Sequence, residues 1–295
     1  MRDKTVLVTG ATNGIGLHAS IALARQGARV VMVGRDAART EAAAADVAAR
    51  SGSNTVSHLL CDFSSQAAIR ALAAAFHARH DRLDLLVNNA GGVNKSRRLT
   101  VDGLEMTFAV NHLGYFLLTN LLGDLLVRSA PARIVSVASI GHRQGTLDFD
   151  DLGFERGGYA IMRAYSRSKL ANVLFANELA RRLVGTGVTS NSLHPGAVDT
   201  GIWAGAPLWA KPIILLLFRP FFITPEKGAS YIVDLATRPE LEGVTGKYFE
   251  EGRMVEPAPL ARDAALAARL WDVSADLVGL SGTLGGHAGY RSADF

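Results

Sequence analysis

The sequence predicts an α/β fold built on a doubly wound parallel sheet, and three observations predict it. Short apolar runs alternate with amphipathic, helix-forming stretches from residue 5 onward. Most of these runs are largely apolar, as strands covered by helices on both faces tend to be. The first run passes through a glycine-rich turn directly into the first helical stretch, Thr9-Gly10-Ala11-Thr12-Asn13-Gly14-Ile15-Gly16. Together they describe a Rossmann-type sheet of about seven strands with helices on both faces.

The elements follow in order. Residues 5–8 form the first strand, followed by the glycine turn and a helix through 19–25. Residues 28–33 are the second strand, and the alanine-rich run 37–49 is a strong helix former. Strand 56–60, helix 66–79 and strand 83–87 continue the pattern. Then come a helix across 103–126, strand 133–137, a helix over 165–183, strand 188–193, and a seventh strand near 247–249. No repeat or linker divides the chain, so residues 1–280 are expected to form one domain, and the polar, glycine-rich end 281–295 a disordered tail.

Composition narrows the function classes. A hydrophobic share of 48% supplies a sizeable core and excludes a mainly disordered chain. The 31 basic and 27 acidic residues are spread along the chain, and no Lys/Arg block suggests a nucleic-acid partner. One cysteine, Cys61, can form neither an intrachain disulfide nor a cysteine-rich metal cluster, so no metal is expected. The N-terminus carries no apolar, cleavable targeting segment. A cytoplasmic, soluble protein is the expectation. The most apolar stretch, around Ile213 to Phe218, is interrupted by Lys211, Pro212, Arg219 and Pro220 well short of the ~20 residues a spanning helix needs.

The glycine turn has the makings of a phosphate cradle. Gly10 permits a sharp exit from the strand, and Gly14 and Gly16 remove side chains where a backbone must approach a pyrophosphate. The helix N-terminus then offers unpaired N–H groups and partial positive charge to the anion. At the end of the second strand, glycine occupies the tip in Val33-Gly34-Arg35-Asp36. An acid at that tip would bond the 2′-hydroxyl of NAD, whereas a nearby arginine accommodates the 2′-phosphate of NADP. Arg35 therefore favours NADP(H) over NAD(H), with Asp36 left either to cap the next helix or to act as the displaced acid.

Tyr165 and Lys169 stand four residues apart on a predicted helix, so their side chains share a face. A phenol with a pKa near ~10 is a poor base at neutral pH, and lowering it by about two to three units requires roughly 3–4 kcal/mol. An ammonium at about 5 Å, with an effective dielectric of ~20, supplies on the order of 3 kcal/mol. One lysine is enough in magnitude. Rival groups fit less well: Tyr159 has Arg163 at the matching spacing, Ser136 lies inside a strand, and His194 and His112 sit where packing is the simpler role.

The Thr-Gly-x-x-x-Gly-x-Gly spacing, Asn88-Asn89-Ala90-Gly91 after the fourth strand, Tyr165-x-x-x-Lys169, and Pro195-Gly196 after the sixth strand resemble the short-chain dehydrogenase/reductase superfamily. Tyr165 to Phe175, Glu178 to Leu183, Leu193-His194-Pro195-Gly196 and Leu270-Trp271-Asp272-Val273-Ser274 resemble its retinol dehydrogenase-like branch. The resemblance implies a nicotinamide-dependent oxidoreductase that interconverts an alcohol and a ketone or aldehyde on a lipophilic substrate. Asn111, Ser139, Tyr165 and Lys169 fall in the family's catalytic order. Tyr165 would be the general acid and base, and Ser139 would hydrogen-bond the substrate oxygen. Lys169 would grip the cofactor ribose, and Asn111 would hold a relay water. The implied cofactor site takes in Gly10, Thr12, Asn13, Gly14, Ile15, Gly16, Arg35, Asp62, Phe63, Asn89, Ala90, Gly91, Tyr165, Lys169, Pro195, Gly196, Val198 and Thr200. Asp62 is equally suited to capping the helix that follows it.

Residues 202–224 follow the Pro195-Gly196 loop and are too apolar for a solvent-facing connection. They are expected to form a substrate lid, with Trp203 and Trp209 joining Ser139 and Tyr165 at the substrate. A contact between subunits of a homo-oligomer, or an interfacial membrane contact, is the alternative. Two other functions share parts of this pattern: a cofactor-binding sensor without turnover, and an NAD-dependent epimerase or dehydratase with the same Tyr-x-x-x-Lys pair.

Overall fold

The computed structural model describes residues 1–198 and 222–284. Its sheet has eight strands: β1 (Thr5–Thr9), β2 (Arg29–Gly34), β3 (Val56–Leu60), β4 (Leu85–Asn88), β5 (Ala132–Val137), β6 (Val188–His194), and the pair β9 (Tyr248–Glu250) and β10 (Arg253–Val255). The order is β10-β9-β6-β5-β4-β1-β2-β3. Seven strands are parallel, and only β10 runs antiparallel, against β9. A separate two-stranded ribbon joins β7 (Ala197–Val198) to β8 (Phe222–Ile223).

Alternate strand residues feed two cores. Val6, Val8, Val30, Met32, Leu85 and Val87 pack under helices α1 (Gly14–Arg25), α2 (Ala37–Ser51) and α8 (Pro225–Thr237). Leu7, Val31, Val33, Leu86 and Ile134 point the other way. They meet α3 (Gln66–His77), α5 (Gly114–Leu121), α7 (Ile161–Arg182) and α9 (Ala264–Leu277). The strand order reverses between β1 and β4, and in open α/β sheets ligands bind beyond the carboxyl ends of the strands at such a switch.

The structure adds detail to the expected elements in four places. The helix expected over 103–126 is broken into α4 (Met106–Phe108), a π-helical turn (Ala109–Leu113), α5 and α6 (Gly123–Arg128). Glu105 caps its start by accepting from the Thr107 and Phe108 amides at 2.8 and 2.7 Å. At Gly114 a Cβ would lie 2.6 Å from the Phe63 ring, so a tertiary contact shapes this stretch. The sheet gains β10 through a tight turn at Glu251 and Gly252, both at positive φ. Helices α8 and α9 were not among the expected elements. Each is opened by a capping side chain: the Thr224 hydroxyl accepts from Lys227 N at 3.3 Å, and the Asp263 carboxylate from Leu266 N at 2.9 Å. Finally, packing runs past residue 280. Leu284 is buried against Gly123, and its amide bonds Asn120 Oδ1 at 2.9 Å, so 281–284 belong to the core and not to a tail.

Candidate active site

The carboxyl ends of β1 and β4 are stitched together by Thr9 and Asn89. The Thr9 hydroxyl accepts from the Asn89 and Ala90 amides at 2.9 and 3.0 Å and donates to the Val87 carbonyl. Asn89 Nδ2 returns to the Thr9 and Gly10 carbonyls. The glycines allow the crossing. Gly10 has φ +64 and would place a Cβ 2.7 Å from Ala90 Cα, while a Cβ on Gly16 would run into the Gly10 carbonyl. Beyond this seam α1 begins at Asn13 without a side-chain cap and without an acid in its first turn, and nothing lies within 4 Å of a Cβ on Gly14. Uncapped N–H groups over open space fit a pyrophosphate, so the cradle accepts a dinucleotide.

The four expected catalytic side chains converge beside this cradle. Ser139 follows β5, buried; its Oγ accepts from the Gly141 amide at 3.2 Å and is hydrogen-bonded with the Tyr165 phenol. Tyr165 lies on the first turns of α7 with its phenol next to Ser139, and Lys169 Nζ stands 5.6 Å from the Tyr165 ring centre. The ammonium donates to the Val137 carbonyl at 2.9 Å, an acceptor it shares with Asn172 Nδ2. Asn111 sits in the π turn, fully buried. Its Oδ1 accepts from Gly92 N at 2.9 Å, and its Nδ2 donates to Gly92 O at 2.9 Å and to Ser168 Oγ at 3.0 Å. The asparagine thus ties the loop after Gly91 to the helix that carries Tyr165 and Lys169. π turns recur where a side chain must be re-aimed at a functional site.

The electrostatics correct one expectation. Lys169 was expected to depress the Tyr165 pKa. In the protein alone, burial pushes the phenol above its ordinary value, and the hydrogen bond with Ser139 offsets that only in part. Burial also pulls the Lys169 ammonium down to about 8, and among the described residues no carboxylate forms an ion pair with it.

The other expected residues fall as follows. Gly34 is buried at the tip of β2, where a Cβ would strike Thr40 and Thr12. Arg35 is exposed beside it. Asp36 is the N-cap of α2, accepting from Arg39 N at 2.9 Å. Asp62 does not cap α3, since Ser65 does; its Oδ1 instead accepts from the Ser64 amide and hydroxyl. Phe63 is buried against Gly114, and Ile15 in the core under α1. Pro195 and Gly196 are buried beyond β6, and Gly196 has φ +91. Val198 ends β7 beside Ile223 of β8. Thr200, Trp203, Trp209 and 202–221 of the expected lid lie outside the described residues. The rivals are structural: Tyr159 donates to Asn94 O at 2.8 Å, and His112 is buried against Ser274 at 2.9 Å. Burial holds the His194 imidazole down to about 4. Sequence reasoning missed Thr9, Ser168 and His142, which bear on the catalytic groups through backbone bonds that no spacing reveals.

This chain belongs to the short chain dehydrogenase family, whose pattern it matches over residues 4–210. It is therefore an oxidoreductase acting on CH–OH and carbonyl groups with a nicotinamide cofactor. Within the family it is retinol dehydrogenase-like. It is 46% identical to human retinol dehydrogenase 14 over 295 residues, covering 95% of this chain and 88% of that protein. It is 43% identical to human retinol dehydrogenase 13 over 281 residues, with 94% and 85% covered. Among solved structures, an uncharacterized protein from Mycobacterium paratuberculosis superposes with TM-score 0.77 at 31% identity, covering 94% of each chain. The Pseudomonas aeruginosa RhlG/NADP active-site complex follows at TM-score 0.69 and 26% identity, covering 90% of this chain and 97% of that one.

Proposed function

We propose that the chain is an NADP(H)-dependent oxidoreductase that interconverts a lipophilic alcohol and its aldehyde or ketone, with Tyr165 as general acid and base. The observation that carries this reading is the convergence of the Ser139 hydroxyl, the Tyr165 phenol and the Lys169 ammonium beside the glycine cradle. The cradle at α1 and the loops after β4 and β6 would hold the nicotinamide cofactor, which would supply or remove a hydride when bound.

The chain's own residues do the rest. Ser139, oriented by the Gly141 N–H that its Oγ accepts, donates to the substrate oxygen and holds the charge that develops there. Tyr165 gives that oxygen a proton during reduction and takes it back during oxidation. The buried phenol holds its proton at neutral pH and can donate it during reduction. Lys169 keeps its charge beside Tyr165 and stabilises the phenolate when it forms. Asn111 holds the Gly92 loop and, through Ser168, the register of α7.

Preference for NADP(H) is supported by exposed Arg35 at the β2 tip and by Asp36, whose carboxylate is engaged as a helix cap. A lipophilic substrate is supported by the apolar composition of 202–224 and by the retinol dehydrogenases among the relatives. The test is a panel of retinoids, steroids, aromatic ketones and medium-chain aldehydes, each assayed with NADPH and NADH. Net oxidation of NADPH by a lipophilic carbonyl is the expected result. Binding without turnover would leave a cofactor sensor, and substrate conversion without net cofactor consumption would leave an epimerase.

A further inference from the structure

His142 lies three residues after Ser139 in a short 3-10 turn, Ile140–Gln144, and is 1% exposed. Its two ring nitrogens have different partners. Nε2 takes the Ala258 amide at 3.0 Å, and a backbone N–H can only donate, so Nε2 is unprotonated. The neutral ring therefore carries its proton on Nδ1, which lies 2.8 Å from the Ser139 carbonyl and donates to it. The His142 amide bonds the same carbonyl at 3.1 Å. The ring packs edge-on against Tyr248 of β9, with centres 4.6 Å apart. The next residue, Arg143, pairs with Glu250 at 2.8 Å and reaches the Glu256 carbonyl, fastening the turn to the same segment.

We propose that His142 is a positioning residue: its neutral imidazole clamps the backbone of Ser139 to Ala258 and so fixes where the serine hydroxyl meets the substrate oxygen. The proposal rests on the reading of Ser139 as a substrate-oxygen donor. Ser139 sits at the open end of a strand, and the turn after it has no other side-chain bond to the Ser139 carbonyl among the described residues. An error of about 1 Å in such a donor costs on the order of 100-fold in rate. A histidine meets both needs at once, a donor towards the serine and an acceptor towards the Ala258 amide 116 residues away.

The two bonds can be separated by substitution. H142N places its amide nitrogen near Nδ1 and keeps the donor to Ser139. H142Q reaches the Nε2 position and keeps the acceptor for Ala258 but loses the donor. Both variants, each also combined with S139A, are compared for kcat, KM, NADPH binding and melting temperature. The expected result is that H142Q lowers kcat ~10- to 100-fold with NADPH affinity unchanged, while H142N recovers most of that loss. In the S139A background the H142Q loss should shrink to within about threefold, because residues acting as one unit are not additive. An H142Q loss of the same factor in both backgrounds, or losses that follow melting temperature whichever bond is kept, would overturn the proposal. If S139A alone leaves kcat intact, the reading of Ser139 itself fails and the clamp with it.

Discussion

Lys169 is buried with no carboxylate beside it, so the free protein should become more stable when the charge is removed. Its pKa falls from 10.5 to about 8 on burial. At about 1.4 kcal/mol per pH unit, that interval corresponds to about 3 kcal/mol by which the buried ammonium destabilises the fold at neutral pH. The sign follows from proton counting. Between pH 8 and 10.5 the unfolded chain holds a proton that the folded chain has lost, so stability rises with pH across that window, and the full penalty is present below it. In K169M the penalty disappears, together with one hydrogen bond to Val137 O of about 1 kcal/mol. That carbonyl keeps Asn172 Nδ2 at 3.3 Å, so it is not orphaned. The net expectation for K169M without cofactor is a gain of about 2 kcal/mol at pH 7, or about 4 °C in Tm. The gain should vanish or reverse by pH 10.5, and catalysis should be lost. Thermal melts of both proteins at pH 7 and 10.5 decide it. A variant less stable at pH 7, or a difference that does not change with pH, would refute the account of a desolvated ammonium kept for function.

Three further outcomes are expected. R35A should erase most of a tens-fold preference for NADPH over NADH, since a charge-assisted hydrogen bond contributes ~1.5–3 kcal/mol; equal use of both cofactors by the unmutated protein would remove Arg35 from that role. For carbonyl reduction, kcat/KM for NADPH reports groups in the free protein and should fall as pH rises through about 8, where Lys169 loses its proton; a profile flat to pH 9.5 would contradict this. Substituting Trp203 or Trp209 by alanine should raise KM for bulky apolar substrates with NADPH binding unchanged, and kinetics indifferent to both would move 202–224 away from the substrate.

What the sequence made legible was local or periodic. Short, mostly apolar runs between helix-forming stretches located the seven parallel strands, because parallel strands are largely covered on both faces. The glycines at 10 and 16 were legible because close backbone approach leaves no room for a side chain. The Tyr165–Lys169 pair was legible because four residues make about one helical turn. The missed features depend on partners distant in sequence. The π turn at Asn111 answers to Gly92 and Ser168, and α5 starts where the Phe63 ring fits over Gly114. His142 has its acceptor role defined by Ala258, and Leu284 its burial by Gly123. Spacing gives the place of a lysine but says nothing of how much water is lost around the Tyr165 phenol, and in the protein alone that burial raises its pKa. Asp36 shows the reverse: a plausible ligand in sequence whose carboxylate closes the end of a helix.

The central claim is that the Tyr165 phenol transfers the proton. The most direct measurement compares the unmutated protein with Y165F, following NADPH absorbance in the presence of a lipophilic aldehyde and NADPH binding by fluorescence. The ring stays in place on α7 and only the hydroxyl is removed. The account predicts that binding persists within about threefold while turnover falls by on the order of 100-fold or more, the range general acid–base catalysis contributes. Y165F turnover within tenfold of the unmutated rate, with cofactor still bound, would contradict it.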